Sequence, residues 1–345
     1  MARKDEKLNY PAAVRELKAA GAKKLYFLWG PEDYLREQYL LQLKALCLPE
    51  GEDGFSFHRI NGPELDMDIF RQAVDAVPFL SERSFVELRE IDINRIKDND
   101  GFIKCIRDIP DYCTVCFVQG AQFEPDGRLK AVKALREEAK ELVFTQQSQG
   151  MLTDWIVRRF AHAGKSIELD AAQRLIYISG DLMNRLIPEI EKVAAFAKGE
   201  RVTVSDVEAV ASHIPEAVVF DMTDRIAEKK YNAAMSILSE LLADKNNDPI
   251  MLLAILGMQM RRLYAAKLIV KQGAGVKELM ELCAIKYEFI ASKLISAAKG
   301  YTPEQLIRAV ELCAEADYKM KSSSVDDTEL LKETVLRIVA GESVE

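Results

Sequence analysis

Five short runs rich in β-branched and aromatic residues punctuate the first part of this chain, and helical patterns separate them. The runs are Lys24–Trp29, Phe55–Ile60, Ser84–Arg89, Cys113–Val118 and Glu141–Thr145. Between them lie segments of helical period such as Tyr34–Cys47, Leu65–Ala76 and Arg128–Ala139. Strands joined through helices cannot be hairpins. They imply a parallel sheet with helices packed on its faces. The expected first domain is therefore an α/β domain over residues 1–147.

From Leu152 onward the strand signal nearly vanishes, and the fold class becomes α/β plus all-α. Residues 148–213 read as a small helical domain: Gly164 stops one helix, Asp170 caps the next, and a third runs from Asp181 to Lys198 and stops at Gly199. The capping-box spacing of Ser205 and Glu208 opens the last. Residues 214–345 form a larger helical block with loops at Lys245–Asp248, Gly273–Gly275 and Gly300–Thr302. Within it, Ile250–Gly273 is apolar around most of its circumference in its first half. Such a helix is covered on several sides, either by its own bundle or by a neighbouring subunit.

Charge and cysteine usage narrow the function classes. The 345-residue chain carries a net charge of −8, which argues against coating nucleic acid by bulk attraction. Its apolar and charged fractions, 49% and 30%, are those of a soluble globular protein. The longest fully apolar stretch, Met251–Met258, is far shorter than the ~20 residues of a membrane span. The charged N-terminus has no apolar run after it, so no signal peptide is expected and the protein should be cytoplasmic. Its six cysteines are then reduced thiols.

Motifs for catalysis fail on physical grounds. Gly164-Lys165-Ser166 imitates the end of a phosphate-binding loop, but Arg159 stands where the first glycine is needed and no strand precedes it. After the first strand, where such a loop belongs, the chain reads Gly30-Pro31-Glu32-Asp33-Tyr34-Leu35-Arg36-Glu37. Leu35 replaces the second glycine, Arg36 the lysine, and Glu37 the hydroxyl that would hold Mg²⁺. Glu32, Asp33 and Glu37 would in addition repel a triphosphate. Cys113 and Cys116 have metal-like spacing, but three apart on a strand they face opposite sides. No catalytic residue, metal or cofactor is assigned.

Ala76-Val77-Pro78-Phe79-Leu80-Ser81-Glu82-Arg83 links a helix to the third strand, where a short polar connection would be ordinary. Pro78 keeps the backbone before it extended. Two readings of Phe79 and Leu80 remain open: burial in the core, or an exposed plug for a partner's pocket.

The order of these segments resembles one family, the delta subunit of bacterial DNA polymerase III. Tyr26 to Leu35 is similar to its opening strand and degenerate loop, and Val77 to Arg83 to its clamp-binding segment. Pro188-Glu189-Ile190-Glu191-Lys192-Val193, Val219-Phe220-Asp221-Met222-Thr223-Asp224 and Asp317-Tyr318-Lys319-Met320-Lys321-Ser322 resemble three later signatures. The resemblance implies an AAA+-like fold without a working ATP site, a lid-like domain over 148–213, and a collar over 214–345. It further implies a non-enzymatic subunit that binds the sliding clamp (beta) and helps open it for loading on primed DNA. Phe79 and Leu80 would be the plug, flanked by Val77, Pro78 and Arg83. Other loader subunits, gamma/tau and delta prime, would join through the collar, with no membrane involved. Loader relatives with ATP sites or arginine fingers would need a P-loop or a Ser-Arg-Cys triplet, and generally a four-cysteine zinc site. The chain has none of these. Ser322, Ser323 and Ser324 stand where some relatives carry a stacking aromatic, so no stacking role is assigned. Lys319 and Lys321 are candidate phosphate contacts, with a solvated helix end as the competing reading. Two further functions stay open beside clamp opening: a nucleotide-driven AAA+ motor, and a helical adaptor or loader paralogue that binds DNA or protein without opening a clamp.

Overall fold

A computed structural model describes residues 8–48, 56–78 and 81–341. The chain divides into two compact units, residues 1–147 with 182–184, and residues 148–181 with 185–345.

The first unit runs α1 (Tyr10–Ala20), β1 (Leu25–Trp29), α2 (Asp33–Cys47), β2 (Phe57–Asn61), α3 (Met67–Asp75), β3 (Ser84–Arg89), α4 (Asn99–Arg107), β4 (Cys113–Val118), α5 (Lys130–Glu138) and β5 (Lys140–Val143). All five strands pair in parallel, in the order β2-β3-β4-β1-β5. Alternation along the strands feeds two cores. Phe27, Val86, Leu88, Val115 and Phe117 meet Phe70 of α3, Phe102 of α4, and Val132 and Leu135 of α5. The rings of Phe70, Phe102 and Phe117 lie 5.8–6.4 Å apart, two of the three pairs edge to face. The opposite face meets α2: Tyr39 packs on Tyr26, Cys47 on Thr114, and Lys44 reaches Glu87. Cys113 and Cys116 are both buried core residues, and all six cysteines are free thiols.

The second unit is helical: α6 (Gln149–His162), α7 (Leu169–Ser179), α8 (Met183–Phe196), α9 (Val204–Val210), α10 (Pro215–Ala227), α11 (Tyr231–Ala243), α12 (Pro249–Lys271), α13 (Val276–Leu282), α14 (Glu288–Ala297), α15 (Pro303–Ser322) and α16 (Asp327–Ala340). Gly164, at φ +73°, follows α6 as its stop. Two local expectations shift by two residues. Glu168, not Asp170, precedes α7, and the capping box of α9 is formed by Thr203 and Asp206 rather than Ser205 and Glu208. Ser205 lies inside the helix, while Glu208 is drawn into an ion pair with Arg174. Two-residue strands β6 (Ser166–Ile167) and β7 (Arg201–Val202) also pair in parallel, too short to leave a period in the sequence.

Helix α12 occupies the stretch expected at Ile250–Gly273. It is the central helix of its own bundle, packed by α10, α13, α14, α15 and α16. Leu252, Leu253, Ile255, Leu256, Met260 and Leu263 are buried. Most of its apolar circumference is thus covered within the chain, while Met251, Leu268 and Val270 stay exposed. Its polar Gln259 finds Thr223 of α10 at 3.4 Å, and the Thr223 carbonyl accepts from Tyr301 at 2.6 Å.

Candidate functional site

In open parallel sheets, ligands bind at the carboxyl ends of the strands. That edge carries the loop after β1. Strand β1 ends at Trp29 and α2 begins at Asp33, so Gly30, Pro31 and Glu32 are the whole connection. A phosphate-wrapping loop needs four residues between its two glycines alone. Here two of those four positions, Asp33 and Tyr34, are already committed to helix. Leu35 points into the core instead of leaving room for backbone to approach a ligand. Gly30 has φ +118°, and a Cβ there would lie 2.6 Å from the Phe144 carbonyl, so the turn is closed tightly against the residue that follows β5.

The remaining positions of the degenerate loop bind one another. Arg36, buried, donates Nη1 to the Gly30 carbonyl at 2.7 Å and pairs with Asp33. Glu37 takes a bidentate pair from Arg89, at 2.9 and 2.7 Å. Arg89 ends β3 in the row of Val118 and Leu28 across the sheet, which places its guanidinium at the carboxyl edge. The pairing extends inward. Glu87, with no exposed surface, meets Lys44 at 2.5 Å, Arg59 at 3.3 Å and the Arg89 Nε. Burial alone would push the Glu87 carboxyl up, but hydrogen bonds from Lys44 and Arg89 outweigh it and hold it below the usual glutamate range. The acidic residues Asp33 and Glu37 at this edge are thus each engaged with a cation, Arg36 and Arg89. Sequence reasoning missed Arg89 and Glu87 because nothing local marks a strand residue as the partner of a helix 52 residues away.

The segment after α3 begins in solvent. Val77 is 72% exposed and Pro78 partly so, and Ile69 of α3 is exposed as well. An open cleft along α3 is lined by Asp68, Arg71, Gln72, Asp75 and Ala76. Phe79 and Leu80 lie outside the described residues. Arg83 turns back to the sheet, its Nη1 3.3 Å from the Thr114 hydroxyl, while its carbonyl accepts from Ser81. At the far end of the chain, Lys319 and Lys321 stand exposed on the last turn of α15, and Lys321 pairs with Asp317 at 2.8 Å. The neighbouring Tyr318 is 72% exposed. Among the described residues no His, Cys, Asp and Glu cluster could hold a metal, and no helix is long and apolar enough to cross a membrane.

Residues 26–145 match the family described as "DNA polymerase III, delta subunit", and residues 216–338 match the family described as its C-terminal domain. The chain belongs to the DNA polymerase III delta-subunit family. Among its delta-subunit relatives, the DNA polymerase III subunit delta of Bacillus subtilis is 24% identical over 334 residues, covering 94% of this chain and 95% of the relative. The probable subunit delta of Aquifex aeolicus is 22% identical, with 90% of each chain covered. The solved structure of the Bacillus subtilis DNA clamp loader delta protein matches with a TM-score of 0.53 at 22% identity, covering 96% of this chain and 99% of that one. The delta fold thus extends over nearly the whole chain, from the sheet through the helical block.

Proposed function

We propose that this chain is the clamp-binding subunit of a bacterial clamp loader, and that it works without binding or hydrolysing ATP. The observation that carries the reading is the segment after α3. Two residues beyond the helix, Val77 is an apolar side chain 72% exposed where a helix-to-strand connection would ordinarily be polar. Phe79 and Leu80 continue that segment as the plug that enters a pocket on the clamp, with Val77 and Pro78 beside it. Arg83, bonded to Thr114, braces the segment on the sheet. The paired edge formed by Arg36, Glu37 and Arg89 supports the absence of nucleotide, because the groups that would meet phosphate are engaged with each other.

On this reading the clamp is held and helped open before loading on primed DNA, and the subunit contributes no chemical step of its own. Residues 148–213 serve as the lid-like domain and 214–345 as the collar that meets gamma/tau and delta prime. Since much of α12 is covered by its own bundle, collar contacts fall to exposed side chains such as Met251 and Val270 of α12, Leu282, Tyr318 and Leu336. Lys319 and Lys321, exposed at the end of α15, are candidate contacts to the phosphates of primed DNA beside their role as a solvated helix end, and Lys321 is also paired with Asp317.

The test is the double variant Phe79→Ala, Leu80→Ala in the full chain, mixed with the clamp of the same organism without ATP and followed by sedimentation. Hot-spot truncations cost ~2 kcal/mol or more each. Together, about 4 kcal/mol weakens clamp binding on the order of a thousandfold. The melting temperature should hardly move, as for other surface substitutions. A large fall in melting temperature with clamp affinity intact would show that both side chains are core residues. No complex even with the unmodified chain would favour the adaptor function.

A further inference from the structure

The C-terminal turn of α7 is fastened to three distant stretches of the helical unit. Tyr177, only 7% exposed, inserts its ring between Phe220 of α10 and Phe289 of α14, each at 5.7 Å between centroids and each edge to face. Two cations approach the same ring, Arg174 at 4.9 Å and Lys293 of α14 at 4.8 Å. The Tyr177 hydroxyl is buried with no hydrogen-bond partner in the protein, whereas a buried tyrosine normally has one. The ring, not the hydroxyl, accounts for its placement. Next in the chain, the Ile178 carbonyl accepts from the Ile214 amide at 2.6 Å, and the Ser179 hydroxyl donates to the Ser212 carbonyl at 2.9 Å. Asp181 then receives Tyr287 at 3.0 Å and Lys286 at 3.2 Å.

Two of these contacts, from Ile178 and Ser179, land on residues 211–214, the short connection between α9 and α10. That is where a hinge between a small helical domain and a collar would lie. We propose that Tyr177 is the peg of an intramolecular latch that closes this hinge, so that α7 and the bundle around α12 move as one body. The aromatic socket supplies the grip, and the Ile214–Ile178 hydrogen bond reports whether it is shut.

Hydrogen exchange at the Ile214 amide tests the latch in the full chain. Tyr177→Phe keeps the ring and discards an unpartnered hydroxyl, so protection should stay at the native level and melting should be unchanged or raised. Tyr177→Ala should lose about a hundredfold of protection at Ile214, while amides of α12 such as Leu256 and Leu263 keep theirs. Native protection at Ile214 in Tyr177→Ala overturns the proposal, as does an equal loss in Tyr177→Phe. If Tyr177→Ala unfolds the whole unit, Tyr177→Leu decides: selective loss at Ile214 supports the latch. Native protection there, or global unfolding again, assigns Tyr177 to ordinary core packing.

Discussion

Replacing Glu87 by glutamine tests whether the ion-pair chain is what shapes the carboxyl edge of the sheet. Glutamine matches the shape of the carboxylate and accepts a hydrogen bond, but it carries no charge. Around it would remain Lys44, with 9% of its side chain exposed, and the more accessible guanidiniums of Arg59 and Arg89 at 42% and 30%. Removing one partner of a buried pair costs ~3–5 kcal/mol. Two of the three cations reach water and Arg89 keeps Glu37, so the lower end applies, about 3 kcal/mol. At roughly 2–4 °C per kcal/mol for a unit of this size, the melting transition of the sheet-bearing unit should fall by about 6–12 °C. Lys44→Met should cost less, because Glu87 retains two guanidiniums. The pH dependence has a definite sign. The Glu87 carboxyl is lowered from 4.5 in the folded chain, so its contribution is full above that value and is lost as pH falls through the folded-state value. The gap between native and Glu87→Gln proteins, followed by calorimetry, should therefore be constant between about pH 6 and 8 and narrow in acid below the usual glutamate range. A melting temperature within about 1 °C of native, or a gap indifferent to acid, would refute the reasoning.

Two further outcomes follow. Isothermal titration should detect no Mg-ATP binding to the chain, nor to the triple variant Leu35→Gly, Arg36→Lys, Glu37→Thr, because the connection from Trp29 to Asp33 is too short to wrap phosphate. Micromolar affinity in either would disprove that limit. Asp224 of α10 is pushed up from 3.8 to about 6, chiefly by burial, with Lys293 and Arg225 opposing and Asp221 and Glu228 assisting. A raised pKa favours the folded state below it, so the native protein should gain stability as pH falls from about 7 toward 5, and Asp224→Asn should melt higher than native at pH 7.5 and lack that gain. A native-like pH profile in Asp224→Asn would count against it.

Much of the sheet unit was legible residue by residue. The strand runs expected at Lys24–Trp29, Ser84–Arg89 and Cys113–Val118 coincide with β1, β3 and β4 to within a residue, and Tyr34–Cys47 with α2. Strand and helix periods are properties of neighbours in the chain, and so are the stop at Gly164 and the loss of phosphate-loop chemistry at Leu35, Arg36 and Glu37. The capping box slipped by two residues because Thr203 with Asp206 and Ser205 with Glu208 both have acceptable local spacing. Only the pairing of Glu208 with Arg174 of α7 separates them.

The order of residues along the chain thus carried local information: the periods of the strands and helices, the absence of a glycine-lysine phosphate loop, and the apolar segment that begins at Val77. Which strands are neighbours was decided in three dimensions, and with it the meeting of Arg89 with Glu37, since that contact exists only because the carboxyl end of β3 lies beside α2. The burial of α12 within its own bundle and the socket around Tyr177 are of the same kind. An apolar face or a charged side chain declares in the sequence that it needs a partner. Hydrophobic burial has no direction and Coulomb attraction no sequence separation, so the partner is chosen only when the packed elements bring one within reach.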